Sequence, residues 1–216
     1  MLGRCSGMAS HIVLLGDSIF DNGAYVRGGP DVARQLREVL PESATATLLA
    51  VDGAITRDVE RQLTRLPANA DLLVVSAGGN DALGQSHLLS ERVANVGEAL
   101  ARLSVATADF AGRYAAMVDA VTAPGLPVAL CTIYDANFPE PEGIVIRSAL
   151  ALFNDVITRA AFSRGLDLID LRLICSEPGD YANPIEPSVQ GGSKIVAAIA
   201  RLATSRAAED STVIAR

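Results

Sequence analysis

The stretch His11-Ile12-Val13-Leu14-Leu15-Gly16-Asp17-Ser18 carries the fold in miniature: an apolar run closed by a glycine and two polar residues. Ile12–Leu15 has no polar alternation, as expected of a strand covered on both faces rather than one facing water. Four more short runs, Ala46–Val51, Leu72–Ser76, Val128–Ile133 and Leu166–Ile169, are mostly rich in Val, Ile and Leu, and several of them also lack polar alternation. Between them lie stretches with apolar residues at three- and four-residue spacing: Asp31–Leu40, Thr56–Leu66, an Ala-rich pair of helices within Glu91–Val121, and Ile144–Ser163. A last helix is predicted over Val189–Arg206. Pro41, Pro67 and Pro124-Gly125 close helices, and Gly165 separates a helix from the next strand. This alternation predicts a parallel five-stranded sheet with right-handed crossovers and helices on both faces, a three-layer α/β/α sandwich. The domain is expected over residues 11–206, with a flexible extension at 1–10 and a frayed tail at 207–216.

Composition narrows the chemistry. The chain has 216 residues, with 18 basic against 25 acidic, a formal charge of −7. That balance disfavours a sequence-independent grip on nucleic acid or on an anionic membrane. A domain this long buries roughly 70% of its unfolded surface and needs no disulfide or metal to hold its core. Cys5, Cys131 and Cys175 match no metal-ligand spacing, and their odd number points to reduced thiols. No metal or cofactor is expected. No apolar run reaches the roughly 18 residues of a membrane span, and Met1–Ser10 lacks the apolar core of a secretory signal, so a cytoplasmic location is expected. Oligomeric state is not legible. Only two histidines are present, His11 and His87.

In parallel sheets ligands bind beyond the carboxyl ends of the strands. Those ends carry Gly16-Asp17-Ser18, Asp52-Gly53, Gly78-Gly79-Asn80-Asp81, Tyr134-Asp135 and the segment after Asp170. Ser18 either offers its hydroxyl to a substrate or, with Asp17, caps the next helix. Asn80 supplies an amide donor of the kind that stabilises an oxyanion, and Gly53 N–H is a second candidate. Tyr134 and Phe138 either wall a pocket or pack over the core edge. Lys194, the sole lysine, is expected on the surface of the last helix, and nothing places Asp135 or Asp180 near Ser18.

Taken in order, Leu15-Gly16-Asp17-Ser18, Asp52-Gly53-Ala54 and Gly78-Gly79-Asn80-Asp81 resemble three blocks of the SGNH (GDSL-type) hydrolase family. Asn183-Pro184-Ile185-Glu186-Pro187-Ser188 is similar to its last block. The resemblance implies a flavodoxin-like sheet and hydrolysis of a small-molecule ester by a nucleophilic serine, Ser18. By the family pattern, Ser18 N–H, Gly53 N–H and the Asn80 side chain would hold the oxyanion, with Asp17 beside the pocket. The family's last block reads Asp-x-x-His-Pro, whereas this chain has Asn183 and Glu186 at the two catalytic positions. His11 lies seven residues before Ser18, roughly 20 Å away along an extended strand. His87 stands on the correct side but in a segment with no evident reason to fold back. Glu186 is therefore the leading candidate for the base, with Asn183 at the orienting position. A free glutamate titrates at about 4.3, and burial raises that value. Alternatively, Glu186 caps the final helix or pairs with an arginine. Two other functions stay open: a binding or regulatory protein that has lost turnover, and an unrelated nucleotide binder. The second lacks both the G-x-G-x-x-G fingerprint and a P-loop lysine.

Overall fold

A computed structural model describes residues 9–205 and 213–214. The strands are β1 (His11–Gly16), β2 (Thr45–Leu48), β3 (Leu72–Ser76), β4 (Val128–Cys131) and β5 (Asp167–Ile169). They form one parallel sheet in the order β2-β1-β3-β4-β5, the flavodoxin-like arrangement. The expected alternation over both faces is literal in β1: Ile12 and Leu14 belong to one core cluster, Val13 and Leu15 to the other. On the first face α1 (Val32–Val39) and α7 (Val189–Ser205) pack through Val32, Leu36, Ile195 and Ile199. On the second, α2 (Asp58–Leu63), α4 (Val96–Thr122) and α5 (Glu142–Ser163) contribute Val59, Phe110, Val118 and Ile157. Two short helices, α3 (Gly79–Leu83) and α6 (Leu171–Ile174), follow β3 and β5. A two-stranded antiparallel hairpin, β6 (Tyr181–Asn183) and β7 (Glu186–Pro187), precedes α7.

Four expectations change. The Ala-rich pair of helices is one helix of 27 residues, because Asn95 caps it by accepting from Glu98 N and nothing after Gly97 breaks it. β2 stops at Leu48, where Leu49 and Ala50 both donate to Leu14 O and the ladder slips. At the expected N-terminal extension, Ala9 is buried and Ser10 O accepts from Thr45 N, so the packed domain already includes both; residues 1–8, with Cys5, lie outside the described residues. In the expected tail, β8 (Val213–Ile214) adds a sixth strand parallel to β5, and the other positions from 206 on lie outside the described residues.

The critical close approach is at Gly16. Its φ is +120°, and a Cβ there would fall 1.7 Å from Ser76 O of the paired strand. The Gln62 side chain locks this peptide from α2, accepting from Gly16 N and donating to Gly16 O, both at 2.8 Å. Gly16→Ala should therefore cost more than about 4 kcal/mol, the range reserved for steric or backbone failures. Thermal denaturation or soluble yield checks it: a variant that unfolds within a few degrees of the parent contradicts this account of the turn.

Candidate active site

β1 and β3 are neighbours at the point where strand order reverses, so their carboxyl ends open a shared crevice. Ser18 sits there, 7% exposed, on the turn that leaves β1. It caps no helix, since α1 begins at Val32 and is capped by Asp31, which accepts from Arg34 N. Asp17 is buried, and its Oδ1 accepts from Ile19 N at 3.2 Å.

Glu186 arrives from the far end of the chain. Its carboxylate accepts a hydrogen bond from Ser18 Oγ, Oγ to Oε1 3.0 Å, across 168 residues of sequence. It is 5% exposed, and its second oxygen, Oε2, is buried without a hydrogen-bond partner. It caps no helix and has no ion-pair partner among the described residues. Ser188 serves the start of α7 instead, accepting from Gly191 N. Burial, with Asp52 nearby, pushes the Glu186 carboxyl from 4.5 up to about 7, although the hydrogen bond from Ser18 pulls the other way. Burial also pushes Asp17 to about 7, helped by the negative charges of Glu186 and Asp81 and opposed by the Ile19 N–H.

The hairpin that presents Glu186 is gripped from both sides. Tyr134 OH donates to Ile185 O, and Asn137 N donates to Pro184 O at 2.8 Å. Asn22, fully buried, donates to Pro187 O at 3.1 Å while its Oδ1 accepts from Val32 N at 2.9 Å. Below the hairpin, Asp180 accepts from Lys194 Nζ at 2.9 Å and from Gln190 Nε2 at 2.9 Å, and its carbonyl accepts from Ser188 N. Lys194 is thus engaged with Asp180 and Glu177 rather than free on the surface. Asp180, which had no role in the sequence reading, is fully buried.

Asn183 does not reach the Glu186 carboxylate. Its side chain accepts from Ile185 N at 2.9 Å and forms the hairpin turn, while its backbone pairs with Glu186. The expected orienting residue is therefore a turn-former. His87 lies exposed on the short 3-10 turn Ser86–Ser90. His11 is buried at the opposite end of β1, against Asn69 Oδ1 at 3.0 Å and Thr47 Oγ1 at 2.8 Å.

Of the three expected oxyanion donors, Ser18 and Gly53 lie on turns and Asn80 on the first turn of α3. Asn80 Nδ2 donates to Ala54 O at 3.0 Å, which uses one amide hydrogen and ties α3 to the loop carrying Gly53. Asp81 reinforces this tie by accepting from Thr56 N and Thr56 Oγ1, both at 2.9 Å, with Arg113 Nε 3.5 Å from its Oδ1. Gly53 has a φ of +78°. A cavity of about 570 Å³ adjoins Ser18, Asn80 and Glu186, and Tyr134 and Phe138 both line it. Among the described residues no group of His, Cys, Asp and Glu is arranged to hold a metal ion, and no helix is long and apolar enough to cross a membrane.

The fold has known counterparts. Residues 14–191 match the GDSL-like lipase/acylhydrolase family. The chain belongs to that family and is, by that membership, a hydrolase acting on ester bonds. Among solved structures it is similar to an extracellular lipase from Streptomyces rimosus, with a TM-score of 0.64 and 21% identity over 89% of this chain and 100% of that one. It is also similar to phospholipase A1 from Streptomyces albidoflavus (TM-score 0.61, 22% identity, 86% and 95% covered). A third is the acetylxylan esterase Axe2 from Geobacillus stearothermophilus (0.59, 18%, 93% and 96%). At these identities the likeness establishes the fold. A search of curated proteins finds no match.

A carboxyl raised from 4.5 to about 7 binds a proton in the folded state over a pH window where the unfolded chain has released it. Stability contributed by that proton is present below about 4.5 and lost as pH rises through about 7. Glu186→Gln removes the titration and keeps an acceptor for Ser18. The variant should match the parent near pH 4 and exceed it by about 3 kcal/mol at pH 8. Denaturant melts at the two pH values test this, and a stability difference independent of pH contradicts a buried, raised carboxyl.

Proposed function

We propose that the chain hydrolyses carboxylic esters with Ser18 as nucleophile and Glu186 as general base. The single observation behind this reading is the 3.0 Å hydrogen bond from Ser18 Oγ to a buried glutamate at the position where the family keeps histidine. A carboxylate of ordinary acidity is a poor base for a hydroxyl, whereas one held near 7 is matched to work at neutral pH.

The steps follow from the geometry. Glu186 takes the Ser18 proton as Oγ attacks the ester carbonyl carbon, and the carbonyl oxygen becomes an oxyanion. Ser18 N–H, Gly53 N–H and the remaining Asn80 amide hydrogen are the donors for that charge. Collapse breaks the bond to the alcohol, which leaves with the proton returned by Glu186. Water then attacks the acyl-serine, Glu186 accepting its proton and handing it to Ser18 as the carboxylic acid departs. Asp17, beneath the serine, is held by Ile19 N–H and keeps the turn in shape. The similar solved structures, a lipase and an acetylxylan esterase, agree with ester chemistry and leave the acyl group open.

Ser18→Ala should abolish turnover of p-nitrophenyl butyrate. Glu186→Gln should lower kcat by about 100-fold or more, and parental kcat/KM should rise with pH through about 7 to a plateau, since only the ionised carboxylate accepts the proton. Undiminished turnover in Glu186→Gln removes Glu186 from the role. Acylation of Ser18 that stops at one equivalent would instead favour a binding protein that has lost release.

A further inference from the structure

The cavity beside Ser18 is much larger than an acetyl group needs. At about 570 Å³ it falls within the roughly 300–1,000 Å³ of sites that enclose whole small-molecule ligands. Its walls come from α3, the Ser86–Ser90 turn, α4 and α5, and include Leu83, Leu103, Ile133, Val145, Leu150 and Phe153. Among the described residues, Asp17, Glu142 and Glu186 are the only acidic side chains lining it, and no lysine or arginine lines it. Several of its polar groups are already committed within the protein. Thr132 Oγ1 donates to Asp170, Tyr134 OH to Ile185 O and Ser90 Oγ to His87 O. Meanwhile Leu83 is 48% exposed, Val145 47% and Leu89 37%, although all three line the cavity. Apolar side chains of a concave wall that no protein atom covers are the mark of an apolar ligand's seat.

On these grounds we infer that the ester carries one linear, uncharged apolar chain of several carbons, seated between α5 and the α3-to-Ser90 segment. This rests on Ser18 and Glu186 as the reacting pair. A sugar ring would meet mostly spent hydroxyls, and an anionic tail would meet no cation and up to three carboxylates. The same chain can enter as the acyl group or as the alcohol, and the cavity's chemistry is identical for both.

Two substrate series separate these cases. The acyl arm runs from p-nitrophenyl acetate through butyrate to octanoate, and the alcohol arm compares ethyl acetate with octyl acetate. Each methylene moved from water into such a cavity is worth about fourfold in kcat/KM, so one arm should rise at least about 100-fold from its shortest to its longest member. The arm that rises names the side of the ester carrying the chain. Ala149→Phe, which fills the cavity from half-buried α5, should reduce the long-to-short ratio at least about tenfold. Flat series in both arms, with turnover that still needs Ser18, overturn the inference and leave the catalytic pair intact. If no ester turns over, calorimetric binding of methyl ketones from butanone to decanone by Ser18→Ala protein decides the matter. Affinity that climbs with chain length supports the apolar seat, and affinity that stays level overturns it.

Discussion

Backbone meets backbone where β1 ends, with no room at Gly16 for even one carbon atom against Ser76 O. That contact allows Asp17 N to donate to Ser76 O at 3.0 Å, so the chain turns across the top of β3 instead of running on past it. Ser18 is thereby set over the crevice between β1 and β3, close to the loop that bears Asn80. Gln62 stabilises the turn by satisfying both groups of the Gly16 peptide, which would otherwise be buried polar atoms. Without this junction Ser18 would not stand over the crevice that Asn80 also lines.

A second constraint is electrostatic. Burial pushes both Asp17 and Glu186 up to about 7, with the charge of Glu186 adding to the rise at Asp17 and that of Asp52 to the rise at Glu186. Such a site opposes folding, so other parts of the structure must hold it in shape. They do so through the hairpin's clamps: Tyr134 and Asn137 on one flank, Asn22 on the other, and the Asp180–Lys194 pair underneath. The sheet supplies the remaining stability, with every residue of β1 and β3 buried between two helical layers.

Much of this was legible in the sequence, and the failures have physical reasons. Apolar runs without alternation identified the five main strands because both faces of the sheet are covered. The Gly16–Ser18 turn and the Gly78–Asp81 turn were legible because each couples a strand end to glycine followed by polar residues. The contact between Ser18 and Glu186 was accessible only through the family pattern, since no local rule links residues so far apart. Gln62 and Asn22 support the site across 46 and 165 residues of chain, and Asp180 across 10 and 14, through side-chain hydrogen bonds that leave no periodic trace in the sequence. α4 is one helix instead of the expected pair because the Asn95 cap starts a single run and Gly112, with open space where a Cβ would sit, imposes no break. Lys194 pairs with Glu177 and Asp180 instead of standing free, because helical position does not reveal an acid on the neighbouring turn.

Asn183, whose side chain closes the hairpin turn by accepting from Ile185 N, makes sense beside a glutamate in a way it would not beside a histidine. An imidazole has two inequivalent nitrogens, and a third residue is normally needed to decide which of them carries hydrogen. A carboxylate has two equivalent oxygens and no tautomer to choose. With Glu186 as the base, the partner that settles the tautomer has nothing left to do, and its position is released for building the turn. Under the mechanism proposed above, the residues at 183 and 186 express one change in catalytic logic: a relay of three side chains shortened to two.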